Sequence, residues 1–262
     1  MPIYEPGGRA RDDSENAFNI YTACSHRCKY CYAPAIFMKK REDWFTDNAT
    51  PRKDFLKELL TDIPKHAGQK AQVLFCFTND PYGGCDPKFR ATRKALEQFL
   101  KYEIPVAILS KGGYRVCEDI DVFKKFGEHI KIGQTLTFDN TSDSLEWESG
   151  AAIPEERIDT ARKIHEAGIK TFASIEPVVF PVQSMKMIEL SIPYIAEYRV
   201  GKLNRYKGMD KSVDWKKFLH EAVDYLRENK KQIFIKKDLA DFDSDYLTED
   251  EKNPDKWQAI PW

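Results

Sequence analysis

The chain has 262 residues, with 41 Lys and Arg balanced by 42 Asp and Glu for a formal charge of −1. Its 42% hydrophobic and 13% aromatic content is too high for a disordered polymer. No apolar run of about 18 residues offers a membrane-spanning helix, and the opening MPIYEPGGRARDDSEN lacks the apolar centre of a secretory signal. The neutral total hides an uneven spread. Residues 199–237 carry 12 basic and 5 acidic side chains, and residues 238–262 carry 2 basic and 8 acidic.

Short β-rich runs alternate with amphipathic helical runs along the chain. Residues 18–23 (FNIYTA) read as a strand that runs into a cysteine cluster. Residues 52–66 place Phe55, Leu59, Leu60 and Ile63 at helical spacing. Residues 71–78 (AQVLFCFT) have strand length, and residues 87–102 return to a helical period. A strand over 104–109 breaks at Lys111-Gly112-Gly113, and a helix over 119–126 and a strand over 130–138 follow. Pro154 opens the next helix, which Gly168 closes. Strands over 169–175, 196–200 and 232–235 then alternate with helices over 184–190 and 213–229. This order predicts a parallel sheet with crossover helices. Closed or partly closed, such a sheet is a barrel whose strand-end loops form one functional rim. One domain over residues 17–237 is expected, with a short N-terminal extension over 1–16 and an acidic tail over 238–262.

Six cysteines are too few for a disulfide framework in a chain of this size, so a reducing cytoplasm is the expected compartment. Cys24, Cys28 and Cys31 crowd into CSHRCKYC, while Cys76, Cys85 and Cys117 are scattered. Thiolates at C-x3-C-x2-C spacing suit iron–sulfur clusters and zinc alike. A closed zinc site needs a fourth ligand, and the nearest candidate, His26, lies inside the same short loop. Three ligands on a cubic four-iron cluster would leave one iron open to a cofactor. Both readings, and simple packing of the thiols, stand at this point.

The C-x3-C-x2-C motif followed by an aromatic residue, directly after the first strand, resembles the radical S-adenosylmethionine (SAM) superfamily. NIYTACSHRCKYCYAP, FTNDPYGG, ILSKGG, QTLTF and ESGAAIPEERIDTARKIHEAGIK are similar to successive blocks of its spore photoproduct lyase-like branch. The resemblance implies a partial (β/α)6 TIM-like barrel, a [4Fe-4S] cluster and SAM, with reductive cleavage of SAM starting radical chemistry. It implies Cys24, Cys28 and Cys31 as cluster ligands. It places Tyr30, Thr78, Asn79, Asp80, Lys111, Thr135 and Glu176 around SAM, and Tyr32 and Cys76 as candidates for hydrogen transfer. Glu148 and Arg157 match charged family positions. Cys76 lies one residue before the aligned hydrogen donor of the lyase, and one residue in a strand reverses the face.

The basic stretch after the sixth strand, RVGKLNRYKG, puts Arg199, Lys202, Asn204, Arg205 and Lys207 on the expected rim, and Lys236 and Lys237 follow the last strand. Such a rim would suit an anionic substrate, a nucleic acid or a nucleotide. The favoured expectation is therefore modification or repair of a thymine-like nucleobase by a monomer, with flavodoxin or ferredoxin as electron donor. The alternatives are a peptide or small-metabolite substrate, or a zinc-stabilised nucleic-acid-binding module without catalysis.

Overall fold

A computed structural model describes residues 2–204, 206 and 213–258. Eight strands form one sheet in sequence order. They are β1 (Ile3–Tyr4), β2 (Asn16–Phe18), β3 (Val73–Phe75), β4 (Val106–Ser110), β5 (Ile130–Thr135), β6 (Lys170–Val178), β7 (Glu197–Lys202) and β8 (Gln232–Ile235). β1 pairs antiparallel with β2, and every later pair is parallel. No β1–β8 pairing closes the sheet among the described residues, so this is a partial barrel of the expected kind. The parallel strands outnumber the six of the expected (β/α)6 unit by one, and the antiparallel β1 edge is additional.

Side-chain alternation explains how a charged sequence builds such a sheet. On β7, Tyr198 and Val200 join a core cluster with Leu219, Val223 and Leu226 of the helix Trp215–Glu228. The alternate residues Glu197 and Arg199 belong to neither large core and are buried within ion pairs. On β4, Val106 and Ile108 pack with Leu96 and Phe99 of the helix Ala91–Lys101. Ala91, Ala95 and Phe99 recur every four residues along that helix, so one stripe is buried. Each fully buried Leu or Phe of these layers contributes about 1.5–3 kcal/mol.

Both ends of the chain differ from their expected roles. The first residues are part of the sheet: Ile3 pairs with Phe18, and a 3-10 turn over Gly8–Asp12 leads to Asp13, which contacts β7 and the end of β8. The acidic segment is folded rather than a free tail. Leu239, Ala240 and Leu247 are buried in the second core cluster. Its carboxylates meet the basic stretch directly: Asp243 pairs with Lys216 at 2.8 Å, Asp241 with Lys237 at 2.8 Å and Glu251 with Arg227 at 2.6 Å. The opposite charges seen as separate regions in the sequence are therefore partly spent on each other.

Candidate functional site

The loop after β2 carries the three clustered cysteines, and backbone groups hold it from several sides. The Cys24 carbonyl accepts from Thr46 N at 3.0 Å, and the Cys28 carbonyl accepts from Cys31 N at 3.1 Å. The Arg41 guanidinium donates to the Cys31 carbonyl at 3.1 Å and also to that of Cys28. A second loop braces the far side: Lys29 N donates to Trp147 O at 2.8 Å, and Gly150 N to His26 O at 3.1 Å. A Cβ on Gly150 would stand 2.0 Å from the Ser25 carbonyl, so only glycine permits this approach.

All three thiols are free. Burial pushes Cys24 up to about 12 and Cys28 well above its ordinary value, and it raises Cys31 too. These sulfurs are thus held as neutral thiols until something positive compensates them, as metal binding does. Backbone N–H groups of His26 and Ala33 already point at the Cys24 and Cys31 sulfurs, a contact that also tunes cluster thiolates. Among the described residues, no three Cys, His, Asp or Glu side chains converge closely enough for a single metal ion. The donor set fits a larger, soft, sulfur-bridged core better than one zinc ion.

The ends of β3, β4 and β5 meet this loop. Lys111 follows β4, and its ammonium lies 5.6 Å from the Tyr30 ring and 3.9 Å from Glu148. Glu148 is fully buried and accepts from Arg157, from Tyr30 and, at 3.3 Å, from Thr137. Burial raises its carboxyl, and Arg157 opposes that rise. Arg157 also donates to the Thr135 carbonyl at 3.0 Å, fixing the end of β5. Asn79 donates to Tyr21 O at 2.9 Å, while its Oδ1 is buried with no partner. That unmet acceptor is suited to an incoming ammonium. Thr78 is half-buried and its hydroxyl accepts from Asn79 at 3.3 Å. Asp80 has a different setting: its two oxygens are taken up by donors from the protein. Sequence reasoning that placed it on a ligand ammonium missed this.

Tyr32 is 46% exposed, yet the protein around its hydroxyl raises its pKa by desolvation. Its hydroxyl donates to the Phe77 carbonyl at 2.8 Å. Cys76 takes a left-handed conformation at φ 67° and its N–H donates to the Phe18 carbonyl at 2.9 Å. It is buried in the core cluster that contains Tyr21 and Cys85, and burial pushes its thiol well up. The strand ends at Phe75, so simple alternation does not carry on to Cys76.

On the opposite wall, Glu176 of β6 faces Lys236 at 3.4 Å. Its side chain is about a third exposed (32%), and burial raises its carboxyl although Lys236 opposes this. Lys236 binds Asp13 at 2.6 Å, and Asp13 also takes Arg199 at 3.0 Å. The expected substrate-contacting rim is corrected here: Arg199 is completely buried and Lys236 nearly so, both engaged by Asp13. Lys202 lies over the Trp215 and Phe242 rings, at 5.7 and 5.9 Å, and Asn204 donates to the Lys202 carbonyl at 3.2 Å. Arg205 and Lys207 lie outside the described residues.

The model of the radical SAM superfamily matches residues 18–192. The chain belongs to the radical SAM superfamily. Membership implies SAM and a [4Fe-4S] cluster as its cofactors. An uncharacterized protein of Methanocaldococcus jannaschii is 33% identical over 163 residues, which span 62% of this chain and 59% of that one. Among solved structures, a mutant of spore photoproduct lyase aligns with a TM-score of 0.65 at 13% identity, covering 88% of this chain and 79% of that one. Streptococcus suis SuiB bound to its precursor peptide SuiA aligns with a TM-score of 0.61 at 16% identity, covering 88% of this chain and 51% of that one. These structural likenesses establish the shared fold. No helix among the described residues is long and apolar enough to cross a membrane.

Two features of this radical SAM barrel had no sequence signal. Asp13, counterion to two buried cations, sits in an ordinary polar run. Gly150 sits in a small-residue run, and its need for glycine appears only once Ser25 is placed against it.

Proposed function

We propose that Cys24, Cys28 and Cys31 hold a [4Fe-4S] cluster at which SAM is cleaved reductively, and that the resulting radical acts on a nucleobase. The observation that carries the first part is the set of three free thiols on one braced loop, beside Lys111 and the unmet Asn79 acceptor. When bound, the cofactors supply one electron and a carbon-centred radical, while the protein supplies orientation and exclusion of water. Lys111 would neutralise the SAM carboxylate, Asn79 and Thr78 would receive its ammonium, and Tyr30 and Thr135 would flank the rest of it. Tyr32 and Glu176 line the space left for substrate.

The nucleobase assignment rests on the resemblance of the motif blocks to the lyase branch. It is compatible with the neutralised far wall, which suits an uncharged hydrogen-bonding edge better than a phosphate. A flavodoxin or ferredoxin would serve as donor. Anaerobic reconstitution tests the reading: about four irons per chain and 5′-deoxyadenosine plus methionine after reduction with SAM are expected. A colourless protein with one zinc overturns it. A thymidine-containing oligonucleotide deuterated on its methyl groups should pass label to 5′-deoxyadenosine. Label arriving only from a deuterated peptide pool would replace the nucleobase assignment with a peptide one.

A further inference from the structure

We infer that Asp80 is a positioning residue, holding Lys111 at a fixed place over the cysteine loop without touching SAM itself. The inference rests on the proposed function and concerns how that site is kept in register.

Asp80 is buried in the loop that follows β3. One of its oxygens accepts from Tyr82 N at 2.8 Å and from Ser110 Oγ at 2.7 Å. The other accepts from Lys111 N at 2.7 Å and faces His26 Nδ1 at 3.4 Å. A carboxylate has about four lone-pair positions, and here three hydrogen bonds from the protein occupy most of them, with the His26 ring close beside. Little acceptor capacity is left for a ligand ammonium, whereas the neighbouring Asn79 Oδ1 has no partner.

The four groups come from three separate elements. Tyr82 is on the loop after β3, Ser110 and Lys111 are at the end of β4, and His26 lies between Cys24 and Cys28. Ser110 Oγ passes the constraint on by accepting from Gly112 N at 2.8 Å. The turn at Gly112 presses on the Tyr82 backbone so tightly that a Cβ would stand 2.6 Å from Tyr82 O. On the far side the Lys111 carbonyl accepts from Ala152 N at 2.9 Å. The Lys111 backbone is therefore clamped from both sides, and its ammonium is aimed over Tyr30. The Lys111 backbone N–H and the His26 ring, which face the carboxylate, come from the two elements that it joins.

Asp80→Asn keeps one acceptor oxygen and sets an NH2 against either the Lys111 N–H or the Tyr82 N–H, so one side of the clamp is lost. The experiment is a double-mutant cycle on anaerobically reconstituted protein, read by iron content and by SAM affinity from the change SAM makes in the spectrum of the reduced cluster. Asp80→Asn should keep its iron and weaken SAM binding about 10- to 100-fold, the usual effect of losing a partner behind a ligand-binding group. In a Lys111→Met background, where the aimed group is gone, the same substitution should cost little further. Ser110→Ala, which keeps the carboxylate, should give a smaller loss of the same kind and guards against a folding failure of Asp80→Asn. Full additivity of Asp80→Asn and Lys111→Met, or no change in affinity for Asp80→Asn, overturns the inference alone. A wild-type protein that takes up neither iron nor SAM overturns the proposed function and this inference with it.

Discussion

The two walls of the barrel mouth use buried polar groups in opposite ways. On the cysteine side, the thiols, the Asn79 carbonyl oxygen and part of the Tyr32 surface are left unsatisfied or accessible. On the β6–β8 side, charge is matched by charge: Asp13 bridges Arg199 and Lys236, and Lys236 also faces Glu176. Leaving a buried polar group unmet costs stability, and at Asn79 a ligand could repay that cost. A basic segment in a sequence is thus poor evidence for a basic surface: here Asp13 and the acidic C-terminal helices consume much of the charge.

Breaking the cysteine side should give the largest effect. Cys28→Ala removes the most buried of the three sulfurs and should abolish both iron uptake and 5′-deoxyadenosine formation, while the thermal melt of the apoprotein shifts little. Breaking the opposite wall should show up in stability. Asp13→Ala removes the carboxylate that bridges the buried Arg199 and Lys236, and removal of one partner from a buried ion pair costs about 3–5 kcal/mol. Urea unfolding of the apoprotein measures this. A loss below about 1 kcal/mol would show the wall to be hydrated rather than internally compensated. A third test concerns the mouth itself. If the basic rim is largely neutralised, oligonucleotide binding should weaken with salt by a slope of only about one or two counterions. A slope near six would restore the sequence expectation of a cationic mouth.

How much of this was legible follows from which interactions are local. The strand–helix alternation and C-x3-C-x2-C are patterns over a few residues, so both the barrel and the cysteine loop could be read directly. Arg199 and Lys236 were read as rim contacts because a strand-end position says nothing about its counterion, which lies 186 and 223 residues away at Asp13. The donors that Asp80 accepts from could not be read in the sequence, since they come from separate elements. The left-handed turn at Cys76 likewise defeats an argument from strand parity, which holds only while the strand continues.

The smallest expected effect sharpens the comparison within the charged interior. Lys236 and Lys131 are both buried lysines. Burial disfavours charge on Lys236, but Asp13 and Glu176 outweigh it and its pKa is raised. Lys131 has Glu197 at 3.3 Å, but Glu197 also serves Lys170, and burial prevails: its pKa falls to about 7. The unfolded chain holds this proton up to about pH 10.4. Between about pH 7 and that value the unfolded state binds more protons, so stability rises with pH. The limit is about 1.4 kcal/mol per pH unit. Below pH 7 the cost of the buried ammonium is fully present. Above about pH 8.5 the buried thiols act with the opposite sign, because they ionise first in the unfolded chain. The useful window is therefore pH 7 to 8.5, where wild type should gain about 1–2 kcal/mol relative to Lys131→Met. Parallel stability profiles for the two proteins would mean that Glu197 keeps Lys131 charged after all, and that a shared carboxylate compensates as well as the Asp13 cluster does.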